Sequence, residues 1–147
     1  MTRIETSKDG TIKIEVADSA GYCWGVERAI DLSVEAASNS ERPVFTHGDL
    51  IHNNYTVNKL RDEHDINSVK EVDEAPEGSA LVIRAHGVPP QTKLAAANAG
   101  LNVVDGTCPL VTNIHKKALQ LLESKHQIFV IGKASHPEVI GIVGAVE

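Results

Sequence analysis

Short runs of β-branched and other apolar residues alternate along this chain with stretches in which apolar residues recur every three or four positions. Side chains repeat every two residues in a strand and every 3.6 in a helix, so the pattern separates the two. Residues 12–17 predict a first strand, and a loop over 18–25 follows. Val26, Ile30, Val34 and Ala37 then share one helical face, which predicts a helix over 26–37. Residues 43–46 predict a second strand, and Asn53 is a suitable cap for a helix reaching about residue 62. Residues 66–78 are acidic and weakly patterned, and Pro76-Glu77-Gly78 marks a turn. A strong strand is expected over 80–84, a helix over 90–99 that Gly100 stops, and another strand over 101–104. Pro109 fits the first turn of a helix running to about residue 124, with Val111, Ile114, Ala118, Leu121 and Leu122 as its apolar stripe. A last strand is expected over 127–131, and a helix begins at Pro137 and runs toward residue 146.

Strands alternating with helices predict an α/β fold, a parallel sheet flanked by helices. Residues 1–107 would form a first α/β module with an N-terminal strand, and 108–147 the start of a second, similar module. In such sheets ligands bind beyond the carboxyl ends of the strands, where loops lead into helix N-termini. Cys23 follows the first predicted strand, His47 and His52 the second, and His86 the strand over 80–84. Cys108 follows the strand over 101–104, and His136 with Glu138 follows that over 127–131. Both cysteines and four of the seven histidines therefore fall at strand-to-helix switches. His64, His115 and His126 lie in or after helices and receive no role.

Composition narrows the function classes. With 41% hydrophobic and 23% charged residues, the 147-residue chain reads as globular. A formal charge of −6 argues against a general nucleic-acid binder, which needs a basic face, and only 3% aromatic residues argue against base stacking. No apolar run approaches the roughly 18 residues that a membrane span needs. Residues 1–10 are polar and charged, without a signal-peptide core, so a cytoplasmic protein is expected. In that reducing compartment Cys23 and Cys108 are not expected to form a structural disulfide.

Each cysteine precedes a helix, where unpaired N–H groups and the helix dipole favour a thiolate by roughly 0.3–1 kcal/mol. Thiolates are soft ligands for iron–sulfur clusters or zinc, and buried inert thiols are the plain alternative. No C-x-x-C spacing is present, so any pairing depends on the fold. Imidazoles and helix N-termini both donate hydrogen bonds to phosphate oxygens, which makes the histidines suited to an anionic ligand. Glu138 could deliver a proton in a partly dry site, or simply stabilise its helix as a first-turn carboxylate.

The switch segments resemble a known family, 4-hydroxy-3-methylbut-2-enyl diphosphate reductase. The residues that carry the resemblance are Gly21-Tyr22-Cys23-Trp24-Gly25-Val26-Glu27-Arg28-Ala29-Ile30, Leu50-Ile51-His52-Asn53 and Ala85-His86-Gly87-Val88. To these are added Asp105-Gly106-Thr107-Cys108-Pro109-Leu110-Val111-Thr112, continuing into Ile114-His115, and Ser135-His136-Pro137-Glu138-Val139 with Gly141. They occur in the family's order across residues 12–147, and it is this ordered set that is specific.

The resemblance implies three α/β modules around a central 4Fe–4S cluster held by three cysteines, with an open iron that meets the substrate oxygen. It implies that Cys23 and Cys108 are two of those ligands. His52, His86 and His136 would bind the diphosphate of an allylic diphosphate substrate, and Glu138 would supply the proton on loss of its hydroxyl. The products would be isopentenyl and dimethylallyl diphosphate, in the methylerythritol phosphate route to isoprenoids. Electrons would come from a ferredoxin, a flavodoxin or a similar carrier. The family's third cysteine and its serine–asparagine segment lie beyond the equivalent of Glu147. A fragment inactive alone, a split-enzyme half whose partner supplies the missing carboxyl-terminal part, and a non-catalytic anion-binding remnant are all compatible with that departure. A zinc-dependent hydrolase with Cys and His ligands is a further alternative.

Overall fold

The computed structural model describes residues 3–147; Met1 and Thr2, which open the expected first module, lie outside the described residues. In chain order the strands are β1 Arg3–Thr6, β2 Lys13–Val16, β3 Val44–His47, β4 Ile66–Val69, β5 Ala80–Ile83 and β6 Asn102–Asp105. The helices are α1 Trp24–Asn39, α2 Asn54–His64, α3 Pro90–Asn98, α4 Pro109–Glu123 and α5 Pro137–Val146. The last four strands form one parallel sheet in the order β4-β3-β5-β6. The α/β class and the parallel sheet flanked by helices are as the pattern predicts.

The central strand β5 explains where the core sits. Leu81, Val82 and Ile83 are each 0% exposed. Successive side chains of a strand point to opposite faces. Ala80 and Val82 accordingly pack with Val44, Ile66 and Leu60, under Val26, Ala29, Ile30 and Val34 of α1. Leu81 packs on the opposite face with Val69, Leu101 and Ala96 of α3. Each such fully buried side chain stabilises the fold by about 1.5–3 kcal/mol. Asn53 caps α2 as expected, its Oδ1 accepting from the Thr56 N–H at 3.1 Å. Asp65, at φ 52°, ends that helix in the left-handed region.

Four expectations need correction. The predicted first strand forms, but as β2 in a separate two-stranded ribbon with β1, antiparallel and outside the parallel sheet. Ile4, Ile12 and Ile14 are all more than half exposed, so the ribbon has no apolar face that a central position would bury. The weak region contains β4, an edge strand with a polar middle, Asn67 and Ser68, which hid its period. The expected strand over 127–131 joins no ladder, and Phe129 and Ile131 stand 77% and 98% exposed. The stripe on α4 is also only partly covered: Val111 and Ala118 are buried, whereas Ile114, Leu121 and Leu122 are exposed. Among the described residues no helix is long and apolar enough to cross a membrane.

Candidate functional site

Ala85 is the junction from which the site is built. It lies two residues beyond β5, is buried, and uses both of its backbone groups to tie neighbouring loops. Its N–H donates to the Leu50 carbonyl at 3.2 Å, and its carbonyl accepts from the Cys108 N–H at 2.9 Å. The first bond draws the loop carrying His52 toward that carrying His86, and their ring centroids lie 4.3 Å apart. The second sets Cys108 beside the same strand end. Gly106 permits this approach, because a Cβ there would collide with the Ile83 carbonyl oxygen.

Cys23 and Cys108 occupy equivalent positions, each the N-cap of its helix, and both are free thiols. Arg28 on α1 links the two segments: its guanidinium donates to the carbonyls of Thr107 and Asp105, each at 3.3 Å. Gly25, in the first turn of α1, lies against the other sulfur, and a Cβ at that position would stand 2.5 Å from Cys108 Sγ. The Tyr22 hydroxyl, next to Cys23, meets the Thr56 hydroxyl of α2 in a short hydrogen bond. So the fold brings the first-turn backbone after Cys23 onto the Cys108 sulfur, although 85 positions separate the cysteines in the chain.

The third histidine arrives from α5. His136 caps that helix, its Nδ1 accepting from the Glu138 N–H at 3.2 Å. An accepting Nδ1 leaves the proton of the neutral ring on Nε2. Its ring centroid lies 5.4 Å from that of His52 and 5.7 Å from that of His86. The three imidazoles thus form one cluster. His47 is not part of it; it ends β3, half-buried, with an unpartnered Nδ1.

Burial sets the electrostatics. It is the main reason that the His86 pKa falls from its ordinary 6.5 to about 4, with the charges of His52, Arg84 and His136 adding to the effect. Its Nδ1 is buried without a partner, so this ring keeps unused hydrogen-bonding capacity. Two residues of this neighbourhood escaped the sequence reading. Arg84 follows β5, its Nε buried and unpaired, with its guanidinium over Gly48, whose φ of +68° suits glycine. His115 of α4 sits between the backbones of Gly87 and Gly141, and burial lowers its basicity. A charge ending a wholly apolar strand was the available signal for Arg84. His115 lies inside a segment quoted for the resemblance, but helical spacing alone offered nothing to separate it from a surface residue.

A cluster-binding role can be tested against these residues. Helix N-terminal thiols beside a side-chain-free glycine suit soft iron ligation, and they would supply two of the ligands that a 4Fe–4S cluster requires. Among the described residues no group of three or more His, Cys, Asp or Glu side chains is arranged to hold a metal ion.

Fold and site define a three-layer parallel α/β protein with three imidazoles clustered beyond one sheet rim and two free thiols at the N-caps of α1 and α4. The family model described as LytB protein matches residues 14–147, and the chain belongs to that family. A curated relative from Aquifex aeolicus, 4-hydroxy-3-methylbut-2-enyl diphosphate reductase, is 39% identical over 133 residues, 90% of this chain and 45% of the relative. The protein of the same name from Aromatoleum aromaticum is 39% identical over 134 residues, 91% of this chain and 43% of the relative. A solved structure of (E)-4-hydroxy-3-methyl-but-2-enyl diphosphate reductase, called the terminal enzyme of the non-mevalonate pathway, matches with a TM-score of 0.78 and 38% identity. That match covers 88% of this chain and 45% of the other. The Plasmodium falciparum E-1-hydroxy-2-methyl-but-2-enyl-4-diphosphate reductase matches with a TM-score of 0.82 and 30% identity, over 87% of this chain and 40% of the other. The chain spans under half the length of these relatives.

Proposed function

We propose that this chain supplies the amino-terminal part of a cytoplasmic 4-hydroxy-3-methylbut-2-enyl diphosphate reductase. The observation that carries the reading is the mutual approach of His52, His86 and His136, with ring centroids within 5.7 Å of one another, the first two on loops fastened to the Cys108 segment through Ala85. The function follows from what these groups can do. Imidazole N–H groups bind diphosphate oxygens and orient the substrate away from its reacting carbon. The capping bond of His136 turns its Nε2–H, not its Nδ1, toward a ligand. Glu138 holds the proton that the allylic hydroxyl needs to leave as water. Cys23 and Cys108 would hold two irons of a 4Fe–4S cluster, whose third cysteine ligand comes from outside these residues. When bound, that cluster supplies electrons and a Lewis-acidic iron. The electrons come from a ferredoxin, a flavodoxin or a similar carrier, and the products are isopentenyl and dimethylallyl diphosphate.

The proposal includes a division into modules at 1–107 and 108–147. It is supported by the parallel sheet ending at Asp105 and by the apolar segment around Phe129 and Ile131, which has no ladder partner here. In this reading, 127–131 is a strand of a second sheet that residues outside this chain complete.

Anaerobic reconstitution with iron and sulfide, with the carboxyl-terminal part of a relative added, tests the reading. A brown protein with a cluster EPR signal after reduction is expected, and it should be lost in Cys23→Ser and Cys108→Ser. A colourless product sinks it. A second reading, an anion-binding module without chemistry, is favoured by the contrast between three gathered imidazoles and only two cysteines. Calorimetry with pyrophosphate on metal-free chain tests that one, and binding unchanged in the His52→Ala/His86→Ala double variant refutes it.

A further inference from the structure

His115 takes no part in the proposed chemistry, yet it is one of the few polar groups here that is buried and unsatisfied. It projects from α4 into a slot between two other elements. A Cβ at Gly87, in the loop that carries His86, would lie 3.2 Å from His115 Cε1. A Cβ at Gly141, on α5, would lie 3.2 Å from both Cε1 and Nε2. The imidazole therefore fills space that side chains at both positions would need. Its Nε2 is turned to the α5 side, buried, and without a hydrogen-bond partner. An unmade bond at a buried polar atom costs about 1–3 kcal/mol.

The candidate partner is on the same face of α5. Glu138 precedes Gly141 by three residues, and residues three apart are neighbours on a helix surface. The Glu138 backbone N–H is already committed to His136 Nδ1, whereas its half-buried side chain is among the groups whose charge bears on His115. We propose that His115 is a positioning residue: it seats α5 against the His86 loop, and its Nε2 is the hydrogen-bond partner that orients the Glu138 carboxyl. The inference deepens the reading of Glu138 as a proton source, and rests on it for its functional meaning. The charged groups facing His115 are Lys93 from α3, Glu138 from α5 and Asp105 from the end of β6. Lys93 and Asp105 are themselves paired at 2.6 Å, and Glu138 stands outside that pair. Neutral imidazole can donate or accept at Nε2, so the pair works with Glu138 either ionised or protonated.

The test follows the ring nitrogens of His115 by long-range proton–nitrogen NMR between pH 4 and 8, in the native chain and in Glu138→Gln. An adjacent carboxylate favours the imidazolium, so the His115 midpoint should fall by about 1 pH unit when Glu138 loses its charge. An unchanged midpoint overturns the proposal. In His115→Phe the slot stays filled but the nitrogen is gone; the pH profile of the Glu138 carboxyl carbon should change, and His115→Gln should restore it. Identical profiles in all three also overturn it. Should the phenylalanine variant not fold, the Glu138→Gln comparison decides alone. None of these readouts involves iron or diphosphate, so failure of the reductase reading would leave them untouched. Conversely, an uncoupled His115 in a chain that still binds pyrophosphate removes this inference only.

Discussion

The Ala85 N–H donates to the carbonyl of Leu50 at 3.2 Å, across two loops that leave neighbouring parallel strands. That bond sets the histidine cluster. His86 is the next residue after Ala85, and His52 is two residues after Leu50, so fixing one pair of backbone atoms fixes the other pair of side chains. Leu50 and Ala85 are both buried, at 1% and 6% exposure, so water does not compete for the bond. The same residue then accepts from Cys108, and the thiol segment inherits the position of the imidazoles.

Gly106→Ala should disrupt this junction. The added Cβ would meet a backbone carbonyl, that of Ile83, which has no rotamer by which to retreat. Overpacking of this kind costs about 1–3 kcal/mol. An unfolding free energy lowered by that amount in urea melts, with faster exchange of the Cys108 amide proton, is expected. Undiminished protection of that amide would contradict the role given to Gly106.

Gly25→Ala should act differently. Alanine at a helical glycine ordinarily stabilises by up to about 1 kcal/mol. Here the obstacle is the Cys108 sulfur, the end of a side chain that can rotate. The expected result is near-neutral stability with the sulfur displaced. A dithiol-specific arsenical should bind the native chain and bind Gly25→Ala several-fold more weakly, at equal melting temperature. Equal arsenical affinity would show that the two sulfurs do not depend on this contact.

How much of this was legible beforehand follows from the same contacts. Helix starts were readable because their signals are local: Asn53, Pro109 and Pro137 mark the ends where α2, α4 and α5 begin. The sheet class was readable from alternation. The approach of the first turn of α1 to Cys108 was not, because it rests on close approach at Gly25 and Gly106 and on Arg28 reaching across 79 positions to Thr107. A glycine that admits a neighbour looks the same in sequence as one that serves a turn. The edge strand β4 was hidden by its polar middle. Residues 127–131 have a strand's composition, but pairing depends on a neighbour that composition does not reveal.

Replacing Phe129 and Ile131 together by serine should leave the stability of this chain within about 0.5 kcal/mol, since nothing here buries them. The same change at Val82, 0% exposed in β5, should be strongly destabilising. Denaturant melts of the two variants separate an exposed segment outside any ladder from a strand that already has its neighbours. A large loss in the Phe129/Ile131 variant would mean that the segment is packed, against the exposure found.

The pH dependence of anion binding should carry the signature of His86. Its pKa in the free chain is depressed to about 4, so between there and its ordinary 6.5 it is neutral where an exposed histidine would be charged. Pyrophosphate stabilises the imidazolium and raises that pKa. The bound chain then holds a proton that the free chain lacks, so affinity must rise as pH falls through the bound value and level off below about 4. Calorimetry at pH 6 in two buffers of different ionisation enthalpy measures the proton taken up. His86→Asn should lower that uptake, while protonation of pyrophosphate itself contributes equally to both chains. Uptake identical in the two would mean that His86 does not gain charge on binding, and the diphosphate role would pass to the other imidazoles.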